Sequence, residues 1–189
     1  MKKTIKHISS IILMAGILFS ITSCGTTKKA ASGEGKLVNS YCSGDEFNST
    51  AKAFRFTGIG QSMNQMMSVK KAISEAHAGL AASINTKVKS VIDNYVKSGS
   101  FNNKEELLQN YEGMTREVVD QNLAGSIAIC TKTVILKDGN YQTYVCMELG
   151  SSQILESLNN KVSNNEMLKV DYNYEKFKKT FEEEMNKNQ

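Results

Sequence analysis

Few side chains in this sequence can carry chemistry, and their spacing narrows what they can do. Of the two histidines, His7 sits just before an N-terminal apolar run and His77 stands alone in the body of the chain. A single imidazole cannot build a His-based metal cage. No serine or cysteine stands at a spacing that implies its activation by His77. Met63, Met66 and Met67 are soft donors of the kind cuprous ion takes. Methionines at a helix start more often fill irregular core gaps, and packing is the expectation here. Gly58-Ile59-Gly60 offers two glycines of a dinucleotide loop, but the third position is Met63. No second strand with an acid at its tip follows. The glycines are instead expected to relax a strand end and a tight turn into a helix.

The cysteines are the remaining reactive groups. Cys24 ends the run Ile21-Thr22-Ser23-Cys24, behind a basic head of Lys2, Lys3 and Lys6 and a mostly apolar stretch from Ile8 to Phe19. Basic head, apolar run and small residues at the exit make a signal peptide over residues 1–23. Ile21, Thr22, Ser23 and Cys24 together resemble the lipobox of bacterial lipoproteins. That resemblance implies that the Cys24 thiol takes a diacylglycerol, that the signal is cut just before it, and that the new amine receives a fatty acid such as palmitate. Two or three acyl chains, at ~0.8 kcal/mol per buried methylene, hold a protein on a bilayer almost permanently. The apolar stretch is too short for a retained span, and no later segment reaches ~18 apolar residues.

Removing residues 1–23 from 189 leaves 166, enough for one domain and a tether. The signal holds three of the 23 basic side chains and none of the 19 acids, so the remainder carries 20 against 19, a net charge of +1. A near-neutral chain gives no electrostatic case for nucleic acid. Cys42, Cys130 and Cys146 remain after Cys24, an odd number that cannot pair completely within one chain. Export permits disulfides without requiring them. With no proline, turns rest on Gly, Asn and Asp.

These residues need elements to position them. Residues 24–36 hold the lipidated cysteine and then small and polar residues without apolar period, a flexible tether. Ala51 to Gly60 alternates in part and reads as a strand ended by Gly58 and Gly60. Ser62-Met63-Asn64-Gln65 has the form of a capping box. A long helix follows with the seam Val69, Ile73, Ala76, Leu80, Ile84, Val88, Val91 and Tyr95, the strongest period in the sequence. Ala72, Gly79, Ala82 and Ser83 lie beside that seam and would let the helix approach a sheet closely. After Gly99, Asn103 can cap a second helix with the seam Leu107, Tyr111, Met114 and Val118. Ile127–Leu136 and Tyr141–Leu149 are rich in branched residues and flank Lys137-Asp138-Gly139-Asn140, a hairpin signal. If Gly139 takes the left-handed position of a three-residue loop, Leu136 faces Asn140 and Cys130 faces Cys146. A Cys130–Cys146 disulfide then becomes feasible, with two buried free thiols as the alternative. A two-residue turn would set Cys130 opposite Met147 and exclude the bond. Two further helices follow, with seams Ile154, Leu155, Leu158, Val162 and Tyr174, Phe177, Phe181, Met185.

Three short strands are not stable alone. The expected fold is therefore α+β: a long helix packed on a small three-stranded antiparallel sheet, in strand-helix-strand-strand order, with extra C-terminal helices. Phe56-x-Gly58-x-Gly60, then Ala72, Ala76, Leu80, Ala81, Ile84, Val88 and Ser90 at their spacings, resemble the LPP20 family of bacterial lipoproteins. Tyr141 to Leu149 suits that family's closing strand. The resemblance implies an LPP20-like α+β domain over residues 37–150, followed by a helical extension over 151–189, on an envelope lipoprotein. It carries over no catalytic residue. Gly25 after the lipobox, where an Asp is absent, resembles the outer-membrane sorting class. The expected function is a non-catalytic binding or assembly domain, anchored by lipid at the bacterial outer membrane, that meets an envelope protein partner. No catalytic residue, metal or cofactor is assigned. A carrier of a small apolar ligand between long helix and sheet is the alternative, and an envelope hydrolase a further one.

Overall fold

A computed structural model describes residues 40–187. The expected signal peptide, the lipobox residues Ile21, Thr22 and Ser23, the lipidation expected at Cys24 and the expected tether lie outside the described residues. Within them the order is a 3-10 turn at Asp45–Phe47, then β1 (Ala53–Ser62), α1 (Gln65–Lys97), α2 (Lys104–Leu123), β2 (Ile127–Ile135), β3 (Tyr141–Gly150), α3 (Ser151–Asn164) and α4 (Tyr174–Asn186). The expected α+β class holds, with a three-stranded antiparallel sheet in the order β1-β3-β2 and the long helix laid upon it.

The helix lies on the sheet at backbone distance. A methyl group added to Gly58 would stand 2.3 Å from the Ala72 carbonyl oxygen and from the Ala76 nitrogen. At Gly60 it would stand 2.2 Å from the Ser68 carbonyl oxygen. Side chains therefore cannot exist at those two positions, which is why β1 carries glycine there. This corrects the expectation that the glycines end the strand. They lie inside it, and β1 runs on to Ser62. The strand's extra length moves the helix start too. The cap is Asn64, whose side chain accepts from the Met67 N–H at 3.1 Å, and not Ser62. The first two turns of α1 then bury Ser68 and Ala72 in place of Val69 and Ile73, while Ala76, Leu80, Ile84, Val88, Val91 and Tyr95 are buried as the seam requires.

Against this stripe lie Phe54, Val145, Met147 and Leu149 from the sheet. Each large aliphatic side chain removed from water here is worth about 1.5–3 kcal/mol. Ser68, Thr143 and Thr133 join hydroxyl to hydroxyl at 2.8 and 2.9 Å, so the polar groups near the helix start stay satisfied. Past the sheet, α1 continues into a helical layer. Tyr95 meets Phe177 edge-on at 5.3 Å, and Tyr111 stacks on Phe177 at 6.5 Å. Burial pushes the Tyr95 and Tyr111 phenols above their ordinary value. Helices α3 and α4 thus close the same core and belong to the compact unit that holds the sheet. Phe177, Phe181 and Met185 of the expected α4 seam are buried, whereas Tyr174 is exposed and Glu184 takes the fourth buried position. A hydrogen bond from Lys187 holds the Glu184 carboxyl below its ordinary value against the opposing effect of burial, with Asn94 donating to it at 2.7 Å.

The hairpin has the three-residue form. The Leu136 N–H donates to the Asn140 carbonyl at 2.8 Å, and Gly139 takes φ +83°. Cys130 accordingly faces Cys146 across the ladder. The disulfide, however, is not between them. Cys130 bonds to Cys42, and Cys146 is a buried free thiol. The register allowed the Cys130–Cys146 pair, but the bond to Cys130 is taken by Cys42, from the irregular segment before β1.

Candidate functional site

The chemistry-bearing cysteines meet on the face of the sheet turned away from α1. Even-numbered residues of β3 point there: Tyr144, Cys146 and Glu148, flanked by Thr57 and Arg55 on β1 and Cys130 on β2. Residues 40–50 cross this face as an irregular strap. The Tyr41 ring packs on Tyr144 with centroids 5.5 Å apart. Cys42, at φ 51°, bonds to Cys130 with their Cα atoms 5.7 Å apart. The Thr57 hydroxyl donates to the Cys42 carbonyl at 2.7 Å. Farther along, the Ser49 hydroxyl accepts from the Arg55 N–H at 2.9 Å and donates to its carbonyl at 3.1 Å, as an added strand would. Arg55 in turn donates from Nε to Glu148 at 2.6 Å and from Nη1 to the Asn48 carbonyl at 3.2 Å. Cys146 is sealed beneath, fully buried, its sulfur 4.0 Å from the Phe47 carbonyl.

This arrangement fastens the chain just before β1 to the hairpin by one covalent bond and to β1 by several hydrogen bonds, while the Arg55–Glu148 ion pair ties β1 to β3 beside it. It brings together all three cysteines that follow Cys24: Cys130 faces Cys146, and Cys42, which sequence reasoning did not pair, takes the bond to Cys130. Cys42 sits between polar residues without period, so only the cysteine count signalled that it needed a place.

His77 has a partner that its spacing did not suggest. Its Nε2 lies 3.0 Å from the Ser126 hydroxyl oxygen, at the turn between α2 and β2. The Ser126 hydroxyl donates its one proton to the Leu123 carbonyl at 2.7 Å. The serine oxygen is thus left to accept from the imidazole, the reverse of a serine awaiting deprotonation. Among the described residues no carboxylate contacts the other ring nitrogen. The pair pins the α2–β2 turn to α1.

The methionines depart from their expected packing role. Met63, Met66 and Met67 are 86%, 65% and 45% exposed. Lengthening β1 places Met63 in the turn and rotates Met66 and Met67 off the buried stripe. A groove of about 650 Å³ runs between α1 and α2, floored by Ile92 and Leu108 and walled by Lys89, Asp93, Glu112 and Arg116. It lies off the sheet-facing stripe of α1, and an ion pair between Arg116 and Glu112 at 2.6 Å crosses part of its wall.

Compared with known proteins, the chain matches no family model, no curated protein and no solved structure.

Proposed function

We propose that this chain is a non-catalytic lipoprotein of the bacterial outer membrane, of LPP20 type, whose α+β domain binds or assembles with another envelope protein. The observation that carries the reading is the run Ile21-Thr22-Ser23-Cys24 behind a basic and then apolar head. The Cys42–Cys130 disulfide supports it independently, because such bonds persist in oxidising compartments outside the cytoplasm. The order β1, α1, β2, β3 agrees with the strand-helix-strand-strand core that the LPP20 resemblance implies, with α2 inserted after the long helix.

The mechanism is presentation. Acyl chains on Cys24 hold the domain at the membrane, and local tethering raises the effective concentration of a weakly bound partner. The apolar-carrier alternative needs space between α1 and the sheet, and at Gly58 and Gly60 backbone meets backbone there. The hydrolase alternative would draw on His77 and Ser126, whose hydrogen bonds run the wrong way for a nucleophile.

Complementation of a deletion strain separates these readings. His77→Ala, at normal abundance, should restore the phenotype, whereas Cys24→Ser should impair it. A null His77→Ala with the protein folded and anchored would replace presentation with catalysis around α1.

A further inference from the structure

One end of the sheet gathers six of the twelve exposed large apolar side chains among the described residues. Ile135 on β2, Tyr141 on β3 and Ser62 on β1 stand in one row across the ladder. Two strand spacings, about 10 Å, separate the outer two. Ile135 is 68% exposed, and next to Ser62 come Met63, Met66 and Met67 at the start of α1. On the outer face, Ile59 and Tyr41 are about half exposed near the same end. The apolar side chains are bordered by exposed Lys70, Lys71 and Lys137, against one acid, Asp138, in the hairpin turn. The Asp138 carboxylate is itself taken up by the Asn140 backbone N–H and side chain. The end is therefore apolar at its centre and basic at its rim.

The strap shows where the chain arrives. Traced backward it passes Arg55 at Ser49, Thr57 at Cys42 and Tyr144 at Tyr41. Since Tyr144 faces Ile59, the backbone climbs toward the methionine end between Ser49 and Tyr41. The roughly 16 residues between Cys24 and Ser40 span at most about 55 Å when extended.

We propose that this end, made by Met63, Met66, Met67 and Ile135 with Lys70, Lys71 and Lys137, docks on an anionic phospholipid surface. The inference rests on the lipid anchor at Cys24. Thioether and aliphatic side chains enter the headgroup boundary, and the lysines meet lipid phosphates. Docking by this end sets α1, about 50 Å long by its 33 residues, with its N-terminus at the bilayer. The α1–α2 groove is then displayed away from the lipid, where a partner protein can reach it.

The test uses the acylated protein isolated from membranes. Met63→Cys and, in the groove, Gln109→Cys each receive a thiol-linked environment-sensitive fluorophore, with the unsubstituted protein as the control for Cys146. Both are reconstituted on vesicles of phosphatidylcholine and phosphatidylglycerol that carry a shallow nitroxide lipid. Fluorescence at position 63 should be quenched several-fold more than at position 109, and Lys70→Glu with Lys137→Glu should bring the two together. Equal quenching on a chain that sediments with vesicles overturns the docking and leaves the anchor standing. A chain without an acyl group that stays in solution overturns both. Shielding of position 63 that grows with protein concentration and ignores vesicles assigns the patch to a second copy and overturns the proposal.

Discussion

The two faces of β3 are covered in opposite ways. Thr143, Val145, Met147 and Leu149 are buried under α1, which holds its place by shape: glycines and alanines at the contact, then an unbroken apolar stripe. Tyr144, Cys146 and Glu148 are covered by a strap with one 3-10 turn and no other regular element, held by a disulfide, by hydroxyl hydrogen bonds and by the Arg55 guanidinium, which is itself paired with Glu148. A periodic element needs no single contact to find its position, because every turn repeats the same match. An irregular strap has no such repetition and depends on individual cross-links. The dry face therefore makes the stability, and the strapped face fixes residues 41–49 against the sheet.

The sharpest way to break the comparison is to spoil the shape match. In Gly58→Val, the new side chain would overlap the backbone of Ala72 and Ala76, and relief requires moving the whole helix. We expect a loss of about 3 kcal/mol or more, read from denaturant unfolding. A near-normal midpoint would mean that α1 does not meet β1 at backbone distance.

A smaller loss is expected on the strapped face. Cys42→Ser opens a disulfide whose cysteines lie 88 residues apart in sequence, and should cost roughly 2–4 kcal/mol. It also leaves Cys130 opposite Cys146. Under oxidising refolding, peptide mapping should then find the Cys130–Cys146 bond that the hairpin register permits. Two free thiols in that variant would show that the strand pair holds the sulfurs apart. The unsubstituted protein should give only the Cys42–Cys130 peptide pair.

The smallest effect belongs to the ion pair. Arg55 and Glu148 are each about one-fifth exposed, so Glu148→Gln should cost on the order of 1 kcal/mol or less. It should nevertheless raise hydrogen exchange in residues 48–55 while leaving β3 protected, because the guanidinium also holds the Asn48 carbonyl.

What could be read in the sequence follows the same division. The stripe from Ala76 to Tyr95, the Asn103 cap, the hairpin with its glycine and the Ile154–Val162 seam are local patterns, fixed by residues a turn or a strand apart. They appear in the structure as expected. The far end of β1 was not legible, because a glycine pair marks a turn and a close helix approach alike. The burial of Ser68 and Ala72 and the exposure of Met63, Met66 and Met67 follow from that one shift. The Cys42–Cys130 bond and the contact of His77 with Ser126 join residues 88 and 49 positions apart, and no periodicity spans such distances. The ring cluster of Tyr95, Tyr111 and Phe177 was visible only as three separate seams.

Lipidation at Cys24 underlies every role proposed for the domain, and intact mass spectrometry of the protein taken from the membrane fraction tests it most directly. The account predicts a chain that begins at Cys24, carries the mass of a diacylglyceryl group and an amide-linked fatty acid, and retains the mass of one internal disulfide. In parallel, Cys24→Ser should leave the detergent phase. A chain that still bears residues 1–23, or one cut there with no acyl mass and still found with the membrane after the substitution, would contradict it.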